Sequence, residues 1–193
     1  MEQATKRGFT LVELLVTISV IGILSSIVYA NLGGTSGTGH DAKRKSDLRN
    51  MQAALEQYKN KNGQYPDMGC TAGSDGFSGE NDCSTYISGL APKFITVLPH
   101  DPNRKGKTGY AYTTNSDRTV YKLMAVDTVE SETVTNASDF KSCDTSGICP
   151  TSGSGVCSPS NSRYKKSYAV WGGYADGDSD AEVRANTKNV ICK

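Results

Sequence analysis

The chain has 193 residues, with 21 Lys and Arg against 20 Asp and Glu. The formal net charge of +1 shows that the chain is not a polycation, so its charge gives no argument for nucleic-acid binding. The length beyond the first apolar segment is enough for one small core, so we expect one globular domain.

The first 30 residues combine a short polar leader with a long apolar segment. The leader ends at Gly8, and the run from Phe9 to Ala30 is apolar except for Glu13 near its start. About 22 residues of helix are roughly 33 Å long, which is enough to cross a hydrocarbon core of about 30 Å. A secretory signal peptide is cut after its apolar stretch. Here the plausible cleavage point, between Gly8 and Phe9, precedes it, so the apolar segment is expected to remain in the mature protein.

The basic residues around the apolar segment predict its orientation. Lys6 and Arg7 precede it directly, and the other side has no comparable cluster before Lys43–Lys45. The positive-inside bias therefore places the N-terminus in the cytoplasm and the rest of the chain outside.

The stretch GFTLVELLVTISVIGILSSIV resembles the N-terminal segment of the type IV pilin and pseudopilin family. The resemblance rests on a glycine, then a phenylalanine, then a glutamate at the fifth position after the cut. It implies that a prepilin peptidase cleaves between Gly8 and Phe9 and that the new amino group of Phe9 is methylated. It also implies a precursor in the cytoplasmic (inner) membrane that later enters an extracellular or periplasmic filament.

Glu13 is predicted to be an assembly residue. A carboxylate one turn inside an apolar segment is costly unless it has a partner. The nearest cation would be the freed α-amino group of Phe9, on the same chain or on a neighbouring subunit. We therefore expect residues 9–32 to form a transmembrane and polymerisation helix after a cleaved leader, residues 1–8.

A glycine-rich run follows the apolar segment, with glycines at positions 33, 34, 37 and 39. Each interior glycine costs a helix about 1 kcal/mol relative to alanine. The run predicts a break or hinge over residues 33–40, or alternatively a plain linker, before a globular domain at 41–193.

Helical periodicity resumes at Asp41. Leu48, Met51 and Leu55 recur at three- and four-residue steps and predict one buried face, and Asn62 with Gly63 predicts the helix end. The basic cluster Lys43–Lys45 is interpreted as a solvated face. The alternative is contact with acidic lipid headgroups or a neighbouring subunit.

Alternating apolar and polar residues predict strands in the second half of the chain. We expect a hairpin of Tyr110–Thr114 and Thr119–Val129 around a turn, with a third strand at Ser167–Trp171. The predicted fold class is α+β: a long N-terminal helix packed on a small antiparallel sheet, with loops held by disulfides.

Two short motifs in this region resemble, more narrowly, the major pseudopilin of type II secretion. These are NGQYP at residues 62–66 and LPHDP at residues 98–102, and the tyrosine-rich strand beyond them adds to the resemblance. The Gly/Ser-rich stretch from Lys141 to Ser162 departs from the compact pseudopilin pattern.

All six cysteines lie in the part of the chain predicted to be outside, which favours disulfides. The absence of CxxC pairs and the distance of both histidines from the cysteines argue against zinc. Cys70 and Cys83 flank one polar loop and are expected to pair. The other four cysteines admit more than one pairing. For them we expect Cys157–Cys192 and Cys143–Cys149.

Alternate carboxylates occur at Asp176, Asp178 and Asp180 and could converge on calcium. The segment fails the EF-hand pattern, because Ala181 replaces the turn glycine and Thr187 replaces the bidentate glutamate. The alternative is a solvated acidic turn, although the resemblance to major pseudopilins implies a calcium site in a C-terminal loop. No other cofactor is expected.

No catalytic motif is present in the sequence. His40 and His100 lie outside GxSxG or HExxH motifs and are interpreted as solvent-facing loop residues, and there is no phosphate-binding GxxxxGK[ST]. We therefore expect a structural subunit of a pilus or pseudopilus rather than an enzyme. The alternative is a minor tip pilin or a membrane-anchored binding module that captures DNA or a surface polymer. The resemblance implies an assembly ATPase, copies of this chain and minor pilins as partners.

Overall fold

A computed structural model describes residues 8–70, 83, 85–103, 109–135, 138–142, 164–173 and 190 of the chain, with backbone alone at residues 30–35 and 164. The chain divides into two compact units, Met1–Ser36 and Gly37–Lys193. The described elements are one helix, α1 (Leu11–Asn62), three strands, β1 (Gly109–Thr114), β2 (Tyr121–Val126) and β3 (Tyr168–Gly172), and a 3₁₀ turn at Tyr164–Lys166. This composition confirms the α+β class.

The first unit contains the apolar part of α1. Its segment Leu11–Tyr29 has a mean hydropathy of 2.4 and is long and apolar enough to cross a membrane. Its large apolar side chains are exposed within the isolated chain.

The glycine-rich run is helical at every position from 33 to 40. The prediction that it breaks the helix is therefore wrong. Helix that already exists on both sides can propagate through a few glycines without a new nucleation step, so a cost of about 1 kcal/mol for each is tolerated. The boundary between the two units, at Ser36 and Gly37, falls inside this run. Bending at that boundary stays a prediction.

Gly37 also has a packing reason to lack a side chain. A Cβ at this position would lie 3.1 Å from the Cβ of Glu130. The absence of a side chain therefore lets the loop that carries Glu130 approach the helix closely.

In the second unit, the predicted buried face of α1 is confirmed. Leu48, Met51 and Leu55 are fully buried. The helix ends at Asn62, and Gly63 follows with a φ of 80° while its N–H donates to the carbonyl of Lys59 at 2.7 Å. This is the left-handed glycine cap that the sequence predicts.

The three strands form one antiparallel sheet in the order β1-β2-β3. Leu123 in the central strand is opposite Tyr112 on one side and Val170 on the other. The predicted hairpin and third strand are confirmed. The central strand is shorter than predicted at both ends: it begins at Tyr121, and it ends at Val126, where Asp127 follows with a positive φ of 55° that interrupts the extended backbone.

Buried tyrosines fill the space between α1 and the sheet. The hydroxyl of Tyr110 donates to Asp47 at 2.8 Å, and that of Tyr65 donates to Glu56 at 2.9 Å. The tyrosines of this core cluster are Tyr65, Tyr86, Tyr110, Tyr112, Tyr121 and Tyr168. Carboxylates on the helix therefore accept the hydrogen bonds of buried phenol hydroxyls. The tyrosine side chains contribute both apolar area and hydrogen bonds to the core.

The opposite face of the sheet carries a second, smaller apolar cluster. Met124 and Ala169 belong to it, and Lys122, two residues before Met124 on the same face of β2, is fully buried. Burial lowers the pKa of the Lys122 ammonium to about 7, because desolvation penalises its charged form.

The predicted disulfide between Cys70 and Cys83 is present, with a Cα–Cα distance of 6.5 Å. Just before it, Met68 pairs with Ile87 in an isolated antiparallel bridge. The backbone of Gly69 lies so close to Thr85 that a Cβ on Gly69 would be 1.7 Å from the Thr85 carbonyl oxygen. The cysteines of the other two predicted pairs lie outside the described residues: Cys143, Cys149, Cys157 and Cys192.

Candidate functional site

The predicted cleavage point lies on exposed backbone before the helix. Phe9 is 89% exposed, and a Cβ on Gly8 would meet nothing within 4 Å. The peptide bond between Gly8 and Phe9 is therefore accessible to another protein.

Glu13 and Thr10 cap the N-terminus of α1 reciprocally. Glu13 Oε2 accepts hydrogen bonds from the Thr10 N–H and the Thr10 hydroxyl, each at 2.9 Å, and Thr10 Oγ1 accepts one from the Glu13 N–H at 3.2 Å. This is a capping box, which satisfies backbone donors that a helix start leaves open. The Thr-x-x-Glu spacing could have predicted it from the sequence. The predicted partner of Glu13 is the amino group of Phe9 instead.

The hydroxyl groups farther along the apolar segment also bond within the helix. Thr17 donates to the carbonyl of Leu14, and Ser19 donates to that of Leu15, both at 2.8 Å. Ser26 donates to a carbonyl of the preceding turn at 2.7 Å. These three hydroxyls therefore need no partner from outside the helix.

The apolar side chains of this segment are exposed on all sides of the helix, between 48% and 89% for the large ones. A helix that is apolar all round is typical of a membrane span or of a segment buried by other chains. Exposure of these apolar side chains to water is unfavourable in free energy.

In the second unit, Arg44 is fully buried and contacts three carboxylates. It binds Asp101 through two hydrogen bonds of 2.7 and 3.0 Å, Asp41 at 2.7 Å and Glu130 at 2.8 Å. The three acids come from α1 and from two loops. The guanidinium therefore ties three segments of the chain together.

Asp41 also fixes the loop that follows β2. Its carboxylate accepts hydrogen bonds from the N–H of Ser131 at 2.7 Å, the Ser131 hydroxyl at 2.6 Å and the N–H of Glu130 at 3.1 Å. Burial raises the pKa of Asp41, but the hydrogen bonds from Ser131, Arg44 and Glu130 outweigh burial and hold the pKa below its usual value.

The basic cluster is therefore only partly a solvated face. Lys43 binds Asp47 at 2.6 Å and Lys45 binds Glu132 at 2.7 Å, whereas Arg44 between them is buried. The interpretation of Arg44 as a surface cation is wrong. The sequence carried no signal for its burial, because its partners other than Asp41 are far away in the chain.

His40 is also not a loop residue. It lies in α1, half-buried, with its Nδ1 atom 3.1 Å from Glu130 Oε1. The acidic residues proposed for calcium, Asp176, Asp178 and Asp180, lie outside the described residues, and a calcium site there stays a prediction.

Residues 4–29 match the family model described as the prokaryotic N-terminal methylation motif. The motif, the exposed Gly8–Phe9 bond and the apolar helix define the class of protein: a prepilin-like precursor with an α+β domain.

Three relatives identify the class more closely, and each is a type II secretion system core protein G. The one from Klebsiella pneumoniae is 37% identical over 99 residues, which cover 50% of this chain and 69% of the relative. The one from Aeromonas hydrophila is 34% identical over 104 residues, covering 53% and 71%. The one from Escherichia coli strain K12 is 43% identical over 61 residues, covering 32% and 42%. No solved structure matches the chain. The chain belongs to the type II secretion system core protein G family.

Proposed function

We propose that this chain is a structural subunit of a type II secretion pseudopilus, anchored in the inner membrane before it joins the filament. Family membership supports this role, as does the match of residues 4–29 to the methylation motif. The observation that carries the proposal is the N-terminal segment: an exposed Gly8–Phe9 bond followed by an apolar helix that satisfies its own hydroxyls.

Processing takes place at the Gly8–Phe9 bond by a prepilin peptidase, and the new amino group of Phe9 is then methylated. The exposure of Phe9 and the open space around Gly8 support this proposal. The basic residues Lys6 and Arg7 support an orientation with the N-terminus in the cytoplasm and the second unit outside.

Assembly uses the second oxygen of the Glu13 carboxylate, Oε1. Both hydrogen bonds from Thr10 end on Oε2, and no described residue donates to Oε1. Oε1 can therefore accept a hydrogen bond from the amino group of Phe9 on a neighbouring copy. In a filament core without water, such a pair is stronger than at a surface, and it fixes the register between subunits.

The partners in this proposal are copies of the chain, minor pilins, the prepilin peptidase and a cytoplasmic assembly ATPase. Calcium is the proposed metal ion, and Asp176, Asp178 and Asp180 are its proposed ligands, on the basis of the sequence and the family resemblance.

The test compares Glu13→Gln with Asp117→Asn, which also removes one carboxylate but lies in the exposed turn between β1 and β2. The mass of the mature N-terminus reports cleavage, and the amount of subunit in sheared filaments reports assembly. Glu13→Gln should be cleaved normally and be depleted from filaments, whereas Asp117→Asn should match the wild type. Normal filament yield from Glu13→Gln would show that the carboxylate plays no part in assembly.

A further inference from the structure

The end of α1 carries the one Asn–Gly step in the sequence, Asn62–Gly63. Asparagine deamidates fastest when glycine follows it, because the backbone nitrogen of a residue without a side chain reaches the amide carbon unhindered. Both residues are exposed. Neither the processing site nor the membrane-spanning segment includes them. The step is therefore a candidate site for chemical modification of the folded chain.

In the folded chain, both reacting groups of this step form hydrogen bonds with the last turn of α1. The side-chain amide of Asn62, which is the leaving group in deamidation, donates to the carbonyl of Tyr58 at 2.8 Å. The N–H of Gly63, which supplies the attacking nitrogen, donates to the carbonyl of Lys59 at 2.7 Å. The attack needs the Asn62 side chain turned toward a deprotonated Gly63 nitrogen, so both hydrogen bonds have to break first.

The segment that has to open is short, because the chain is anchored on either side of it. Tyr58 packs on Phe94 with 5.2 Å between the ring centroids. Tyr65 is fully buried, and its N–H donates to the carbonyl of Arg118 at 2.8 Å. Residues 60–63 between these anchors are all exposed. Exposed helix ends open at a much lower free energy than a whole domain, so local opening is enough to release the reacting groups.

We propose that Asn62 is a deamidation site that reacts when the last turn of α1 opens, at a rate set by the stability of that turn. The Gly63 nitrogen loses its proton and bonds to Cγ of Asn62. The bond from Cγ to the side-chain nitrogen breaks, and this nitrogen takes up the proton and leaves as ammonia. The resulting succinimide ring is opened by water to aspartate or isoaspartate. No electrons are gained or lost, and water is the co-reactant.

Either product weakens the end of α1. A carboxylate replaces the amide that donates to the Tyr58 carbonyl, and a carboxylate has no hydrogen to donate. Its negative charge lies at the C-terminus of a helix, where the helix dipole disfavours it. Isoaspartate also adds a methylene group to the main chain directly before Gly63, which caps the helix with a φ of 80°. The modified fraction, and with it the fraction of chains with a weakened helix end, therefore increases with the age of the chain.

The test measures deamidation of the full chain in neutral detergent micelles at mildly alkaline pH, by mass spectrometry of its peptides. Reaction at Asn62 should be about tenfold to a hundredfold slower than in the chain unfolded in guanidinium chloride, because the last turn has to open first. Equal rates in the folded and unfolded chains would overturn the proposal. So would the absence of product at Asn62 after many half-lives of the reaction in the unfolded chain.

Asn60 offers a matched pair of variants, because it is exposed in the last turn of α1 and takes no part in the reaction. Glycine and alanine differ in helix propensity, so Asn62 should react about fivefold faster in Asn60→Gly than in Asn60→Ala. Rates in the unfolded variants correct for any effect of residue 60 on the chemistry itself. Equal corrected rates in the two variants would show that opening of the last turn does not control the reaction, and would overturn the proposal.

Leu123→Val is the control for global stability, because it shortens a fully buried side chain in β2, outside α1. Its Asn62 should react at the wild-type rate. Melting curves check that this variant and the two Asn60 variants are folded. Acceleration by Leu123→Val as large as the difference between the Asn60 variants would assign the reaction to global unfolding and overturn the proposed role of the helix end.

Discussion

Arg44 and Asp101 form a bidentate ion pair of which neither side chain is exposed to solvent. The two residues are 57 positions apart in the chain. Their contact joins the start of the second unit to the loop that precedes β1. Because two further carboxylates bind the same guanidinium, the stability of the second unit depends on this one side chain more than on any surface ion pair.

Replacing Arg44 by methionine should therefore destabilise the second unit strongly. The change leaves buried carboxylates without their cation, which typically costs about 3–5 kcal/mol. Lys43→Gln removes a neighbouring cation from a half-exposed pair with Asp47 and should cost about 0–1 kcal/mol. Thermal melting of the full chain in detergent measures both. Similar melting temperatures for the two variants would contradict a structural role for the buried cluster.

Thr10 should be needed to hold the first turn of α1. Thr10→Val removes the hydroxyl that caps the Glu13 N–H, and a lost cap costs about 1 kcal/mol. Thr10→Ser keeps the hydroxyl and serves as the control. Hydrogen exchange at the Glu13 amide in micelles should be roughly fivefold faster in the valine variant, since 1.4 kcal/mol corresponds to a factor of ten. Equal exchange in the two variants would exclude the capping box.

Two glycine-to-alanine changes should have opposite effects. Gly69→Ala places a methyl group 1.7 Å from the Thr85 carbonyl oxygen, so the backbone beside the Cys70–Cys83 disulfide has to move and the melting temperature should fall. At Gly39, in the helix, a Cβ meets nothing within 4 Å, and alanine should stabilise by up to about 1 kcal/mol. A higher melting temperature for Gly69→Ala would show that the two backbones are not in close contact.

Stability should rise between about pH 7 and pH 10 because of Lys122. Its pKa is about 7 when buried, against 10.5 ordinarily, so in this window the unfolded chain binds a proton that the folded chain does not. Above about pH 10 stability should fall, because burial raises the pKa of tyrosines such as Tyr110 and Tyr121, and the folded chain then retains protons that the unfolded chain loses.

Lys122→Met separates these two effects. The variant should lose the rise in melting temperature between pH 7 and pH 10 and keep the fall above pH 10. A wild-type profile in the variant would show that another group causes the rise.

Calcium should raise the melting temperature by mass action if it binds the acidic segment, and Asp178→Asn should reduce the effect. Magnesium should raise it less, because it requires stricter octahedral geometry. Asp117→Asn, in the exposed turn before β2, is the control for loss of a carboxylate. An identical calcium response in Asp178→Asn and the wild type would show that the acidic segment is a solvated turn that does not bind calcium.

The features that could be predicted from the sequence are local ones. The helix end at Asn62 follows from Gly63, the buried face follows from the spacing of Leu48 and Leu55, and the hairpin follows from alternation around a short turn. The disulfide Cys70–Cys83 joins residues only 13 positions apart. In each case the physical cause lies within a few turns of helix or one loop.

The features that could not be predicted depend on distant parts of the chain. The contact of Arg44 with Glu130 spans 86 positions, so no local pattern distinguishes this buried arginine from the exposed lysines beside it. The close approach of Glu130 to Gly37 also joins residues that are far apart in the chain. The burial of Lys122 likewise follows from packing on a sheet face that an isolated strand pattern does not specify.

The internal hydrogen bonds of Thr17, Ser19 and Ser26 have a consequence for how a subunit leaves the membrane. Because these hydroxyls bond to their own helix, moving the segment from lipid to a protein environment breaks none of their hydrogen bonds. The side chains exchange one apolar surrounding for another, so this part of the transfer is close to neutral in free energy. The carboxylate of Glu13 is the group that distinguishes the two environments, and we expect it to set the direction of the transfer.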